Sequence, residues 1–258
     1  MPRDHAEMPF LEHLEELRWR IIWGIAAVIV GCVIGFVLVS EFNVIQILER
    51  PIRDLLPDQK LGYTSPTTPF FITFKLAFVV GVVFASPLLA YQAWSFLSPA
   101  LYENERRFVI PAIIVGFLLF LCGVAMAYFM VLPLGLRFLL GFQIESLQPI
   151  IMVDEYLRFA AGMILAFGVI FEMPVVLVLL SLLGIVTPAG LAKYRRHAFV
   201  ALAVLSAVLT PADPWTMMLM MGPMVLLYEA SIWLIRAVGG RREPGTDITP
   251  GESGTVPG

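Results

Sequence analysis

Residues 13–39 read HLEELRWRIIWGIAAVIVGCVIGFVLV, a charged octet followed by an unbroken apolar run from Ile21 to Val39. A membrane span needs about 20 predominantly apolar residues. Ile21–Val39 carries no charge and qualifies, which decides the class of the fold. From Phe10 to Ile21 the apolar positions are Phe10, Leu11, Leu14, Leu17 and Ile21, spaced as on one stripe of a helix. Glu12, Glu16 and Arg20 stand four apart on another face, with His13, Glu15 and Arg18 beside them. The expectation is an amphipathic segment, residues 1–20, lying in the membrane–water interface, with the chain entering the bilayer at Trp19–Ile21. Either its ladder is a solvated face steadied by i,i+4 pairs, or its carboxylates set fixed negative charge at the mouth of a transmembrane bundle.

Composition agrees with that class. The 258 residues are 59% hydrophobic and 14% charged, with a mean hydropathy of +0.86, which excludes a soluble globular domain. The net charge of −3 says little, because charge is largely confined to the connections. Cys32 and Cys122 both fall in apolar runs and are expected to act as small hydrophobes rather than as a disulfide. No cleavable signal peptide is expected, since the first apolar run is too long and no small-residue cleavage site follows it.

Working outward, further spans are predicted at 70–96, 108–132, 157–183, 199–209 and 215–235, six in all with 21–39. The fifth is short, and Pro211-Ala212-Asp213-Pro214 is read as a tight turn between it and the sixth. Residues 40–69 and 133–156 are expected as long connections. The Gly/Pro/Thr-rich residues 237–258 are expected to form a disordered tail. With the amino terminus inside, Arg3, Arg18, Arg20, Arg106, Arg107, Lys193, Arg195, Arg196, Arg236, Arg241 and Arg242 lie on the inner side. Arg50, Arg53, Lys60, Lys75, Arg137 and Arg158 remain for the outer one. The positive-inside rule therefore predicts both termini in the cytoplasm. Pro87, Pro174 and Pro223 fall within spans and are expected to bend them, which makes a concave bundle plausible.

The carboxylates sort by depth. Glu15, Glu16, Glu103 and Glu105 belong to the inner face, whereas Glu172 and Glu229 fall inside the fourth and sixth spans. An ionised carboxylate in hydrocarbon is costly, so each must face a partner, a water pocket or the bundle interior. The chain has no GxxxxGK[ST] phosphate loop and no HExxH site, and His5, His13 and His197 all lie outside the spans. No catalysis, metal or cofactor is expected, nor any nucleic-acid partner. A positively charged ligand at the inner face would suit the carboxylates, since guanidinium binds them bidentately. A proton-coupled transporter using Glu172 and Glu229 as a relay is the alternative, but no internal repeat supports it.

Five motifs, in order, carry a resemblance: HLEELR at His13–Arg18, SPALYENERR at Ser98–Arg107, AYFMVLPL at Ala127–Leu134, FGVIFEMPV at Phe167–Val175 and LTPADP at Leu209–Pro214. Together they resemble the TatC family of twin-arginine protein translocases over nearly the whole chain. The resemblance implies a six-span, glove-like all-α bundle with both termini cytoplasmic, in a bacterial or archaeal cytoplasmic membrane. It implies a receptor for twin-arginine signal peptides of folded cargo, working with TatA and TatB single-span subunits, further copies of itself and the proton-motive force. By motif, Glu16 and Glu105 resemble the carboxylates that receive the paired arginines, with Arg18, Phe96 and Glu103 on the same surface. Glu172 resembles an intramembrane docking position for a small partner's helix. Pro51 and Asp213 match architectural positions.

Overall fold

A computed structural model describes residues 8–53, 55–56, 61–97, 109–141, 150–209 and 214–239. The described chain is helical: α1 (Met8–Glu41), α2 (Val44–Arg53), α3 (Thr68–Leu97), α4 (Val109–Met126), a π-helical turn (Ala127–Val131), α5 (Leu132–Gly141), α6 (Val153–Phe171), α7 (Met173–Leu182), α8 (Pro188–Lys193), α9 (Arg195–Leu209) and α10 (Pro214–Gly239). Among the described residues the one extended pairing is an isolated bridge between Gly62 and Met152. Among the described residues five stretches are long and apolar enough to cross a membrane: Leu14–Glu41, Thr68–Phe96, Ile110–Gly141, Val153–Leu182 and Pro214–Ala237. The segment expected as a fifth span belongs to α9, whose 15 residues extend about 22 Å, short of a bilayer core of about 30 Å.

The charged octet does not form a separate interfacial helix. It is the first turns of α1, which continues without a break over 34 residues. Nothing between His13 and Arg20 interrupts a helix, and leucine, glutamate and arginine all favour one. At about 51 Å, α1 exceeds the hydrocarbon thickness, so its charged end continues the axis of the span beyond it.

Small residues set the packing. Gly31 and Gly35 of α1 face Gly81 and Ala77 of α3, and a Cβ at either would collide with a carbonyl of the other helix. A Cβ on Gly81 would lie 2.6 Å from the Cys32 nitrogen. Backbone thus rests on backbone, as small residues four apart allow in lipid, where helix association relies on close packing. α4 meets α6 in the same way: a Cβ on Gly123 would lie 2.5 Å from the Phe167 carbonyl, and one on Gly168 would lie 2.8 Å from the Phe120 ring. Outward side chains of α1 such as Ile25, Ile29 and Val33 are exposed, as a lipid-facing surface requires. Both cysteines are free.

The prolines act less uniformly than expected. α3 and α10 run continuously through Pro87 and Pro223, and only Pro174 marks a break, at the start of α7 after Glu172. Pro87 cannot donate to the Val83 carbonyl one turn back; the Ser86 hydroxyl donates to it instead at 2.8 Å. The third span does not stop at Leu132, since the helix runs past Pro133 to Gly141. The π turn just before Pro133 widens the helix where the proline ring would meet the preceding carbonyl. The connection 40–69 contains α2, entered through Asn43 in the left-handed conformation (φ 51°), which asparagine tolerates. Gly184 (φ 74°) ends α7 in a Schellman turn, with Ile185 N–H donating to the Leu180 carbonyl at 2.9 Å.

Because α1 and α3 touch at backbone level, Gly81→Val should force them apart and destabilise the fold by about 1–3 kcal/mol, as overpacking does. Thermal unfolding of the detergent-solubilised chain should show a lowered midpoint, and an unchanged one would contradict this packing.

Candidate functional site

At the charged end of α1, Glu16 and Arg20 lie one turn apart, and Arg20 Nη2 donates to Glu16 Oε1 at 2.9 Å. Arg20 Nη1 reaches across to Gln92 Oε1 of α3 at 3.4 Å. The i,i+4 pair expected from sequence is therefore formed, and it extends into a tie between the two helices. Below it opens a groove of about 550 Å³ between α1 and α3, lined by Leu17, Gly24, Val28, Leu89, Ala93 and Phe96 among others, with Arg20 and Gln92 at its polar rim. Gly24 keeps the floor open, since a Cβ there would touch the Leu89 side chain at 3.4 Å.

This arrangement can accept a ligand with a cationic group and an adjoining apolar stretch. A carboxylate offers about four acceptor positions, so Glu16 can take a second guanidinium beside Arg20 or exchange one for the other. Phe96 presents its ring to the groove, and Arg18 is exposed on α1. Glu103 and Glu105 lie outside the described residues, as does Asp213. Arg20, Gln92 and Gly24 were missed as site residues. Arg20 stood in the quoted ladder as a partner for Glu16, but nothing in the chain order tied it to Gln92.

Glu172 sits at the junction of α6 and α7, half-buried. Its carboxylate occupies the space left by Gly116 of α4, where a Cβ would lie 2.8 Å from Oε2. Among the described residues it has no hydrogen-bond or ion-pair partner, so an intramembrane carboxylate is left for something outside the chain or for water. Glu229 is differently placed. Arg195 of α9 contacts it with Nε at 2.7 Å from Oε1 and Nη2 at 2.8 Å from Oε2. The two helices pack together, with Arg195 at the start of α9 and Glu229 about the length of α9 along α10 from its start. Glu229 is thus held by an arginine, and a relay through Glu172 and Glu229 lacks its second free carboxylate.

Pro51 lies inside α2, and the carbonyl it leaves without an N–H, that of Ile47, accepts the Tyr128 hydroxyl at 2.7 Å. Tyr156 donates to the next carbonyl, Leu48, at 2.6 Å. Two tyrosines from the third and fourth long helices thereby fasten α2 over their ends.

The model of the family described as Sec-independent protein translocase protein (TatC) matches residues 12–223. The chain belongs to the TatC family. Its relatives include the TatC of Aquifex aeolicus, 44% identical over 229 residues that cover 88% of this chain and 94% of that one. The TatC of Escherichia coli strain K12 is 37% identical over 236 residues, covering 90% of each. A crystal structure of the twin arginine translocase receptor TatC superposes with a TM-score of 0.79 at 42% identity, covering 88% of this chain and 99% of that one. This TatC chain is accordingly a multi-pass membrane protein and a component of Sec-independent protein transport.

The contrast between the two intramembrane carboxylates is measurable. A hydrophobic carbodiimide, which attacks protonated carboxyls from the lipid phase, should label the protein chiefly at Glu172. Labelling mapped by mass spectrometry should vanish in Glu172→Gln and persist in Glu229→Gln; the opposite pattern would contradict the pairing described.

Proposed function

We propose that this chain is the receptor and organising subunit of a twin-arginine translocase, binding the paired arginines of signal peptides of folded cargo at its cytoplasmic face. The observation that carries this is the pairing of Glu16 with Arg20, which itself lines an apolar groove, in a chain of the TatC family. A signal peptide offers the matching chemistry: guanidinium groups followed by an apolar stretch. Glu16 and Glu105 receive the arginines, with Arg18, Phe96 and Glu103 completing the surface. The groove between α1 and α3 takes the apolar part. In the free state Arg20 occupies Glu16, and an incoming guanidinium shares or replaces that contact. Lysine fits worse, because its ammonium lacks the planar fork that meets two oxygens at once.

The membrane arrangement follows from charge. Both termini lie in the cytoplasm, with six spans, α9 being a short fifth one packed against α10, which runs on to Gly239. The break at Pro174 and the shortness of α9 fit a concave, glove-like bundle. Glu172, unpartnered in a notch beside Gly116, suits docking of a polar group on the transmembrane helix of a TatA or TatB partner. Pro51 and Asp213 serve architecture, the first through the tyrosine fastening of α2. Transport is driven by the proton-motive force in a bacterial or archaeal cytoplasmic membrane, with further copies of the chain taking part and no enzymatic step of its own.

Isothermal titration of the purified chain with a synthetic twin-arginine signal peptide and a twin-lysine control tests this. The arginine peptide should bind about tenfold tighter or more, the loss expected when charge-assisted bidentate bonds are replaced. Glu16→Ala and Glu105→Ala should each weaken binding, and Glu16→Asp less so. Normal binding by the double alanine variant would overturn the assignment.

A further inference from the structure

At the end of the bundle remote from Glu16, α2 crosses the ends of the long helices. Leu48 and Ile52 are buried beneath it, while Arg50 and Arg53 face outward. A cavity of about 300 Å³ there is lined by Arg50 of α2 and Arg137 of α5, with Tyr128, Phe129 and Pro133. Among the described residues neither arginine has an ion-pair partner. The nearest carboxylate on α2, Glu49, is outside the cavity lining; burial pushes its carboxyl upward and the neighbouring Arg53 partly offsets this. Two guanidinium groups sharing one cavity repel each other unless an anion lies between them. Tyr128 also lines a second, wholly apolar groove of about 230 Å³, formed by Leu76, Val79, Val80, Val83, Val124 and Ile164. A dicationic cavity and an apolar groove therefore meet at one tyrosine ring, at the end of helices long enough to cross a bilayer.

We propose that this is a phospholipid site, in which Arg50 and Arg137 hold the headgroup phosphate and the groove beyond Tyr128 takes an acyl chain. Arginine suits phosphate because its fork meets two oxygens. The exposed ring of Phe129, at 75% accessibility, borders the cavity where the interface of the membrane would lie. A net-negative lipid is preferred over a zwitterionic one, since among the described residues two guanidiniums line the cavity and no carboxylate does. The site lies at the opposite end from Glu16 and does not depend on what binds there.

Native mass spectrometry of the delipidated full chain with dioleoyl phosphatidylglycerol tests the assignment, with phosphatidylcholine and glycerol phosphate as controls. The wild type should keep one phosphatidylglycerol under activation that strips the others. Arg50→Gln/Arg137→Gln should weaken its retention by about tenfold or more, as expected for lost charge-assisted bonds to phosphate. Arg50→Lys/Arg137→Lys should keep part of it, and Val80→Phe should weaken the dioleoyl lipid while sparing a dihexanoyl analogue. Equal retention of lipid by the Gln variant, equal retention of phosphatidylcholine, or displacement by glycerol phosphate at equal concentration would each overturn the proposal.

Discussion

The contact of α1 with α3 at Gly31, Gly35 and Gly81 sets the position of the groove between them and of the polar groups above it. Lipid supplies no hydrophobic force to press two helices together, so their association rests on close packing. Without Cβ atoms the backbones meet, and the two helices stay together along their length. Their upper ends are thereby brought within reach of each other, and Arg20 can touch both Glu16 and Gln92. The next glycine up the same helix, Gly24, leaves space instead of a contact, and the apolar groove opens there. One feature, the absence of side chains at spaced positions, thus produces both the rigid seam and the cavity.

A second constraint is that backbone groups inside a bilayer must find partners within the protein. Pro87 and Pro51, each inside a helix, both orphan a carbonyl, and the chain answers differently at the two. Ser86 covers Val83 from within the same helix, whereas Tyr128 covers Ile47 from another. The second solution joins distant parts of the chain and, together with Tyr156, fixes α2 across the helix ends. That placement brings Arg50 beside Arg137.

The long apolar runs made five of the membrane-spanning stretches legible in advance, since length and scarcity of charge determine a span with little help from context. The ends of helices were harder. Pro133 reads as a stop, but a π turn accommodates it; the charged octet reads as a separate element, but nothing in it breaks a helix. The connection 40–69 hid α2 because its proline is rescued by a tyrosine from far along the chain. Glu16 and Phe96 were singled out by motif; Phe96 lines the groove and Glu16 pairs with Arg20, which lines it too, whereas Gln92 and Gly24 depend on the register of α1 against α3, which local pattern encodes only in part. GCVIG at Gly31–Gly35 carried part of that register in plain view.

In the proposed complex a twin-arginine peptide lies with its arginines at Glu16 and its apolar stretch in the groove below. A photo-crosslinking amino acid in place of Gln92, at the rim, tests it most directly. The account predicts crosslinks to peptide residues immediately flanking the arginine pair, and their loss with a twin-lysine peptide. Crosslinks spread evenly along the peptide, or equal yield with the lysine form, would contradict it.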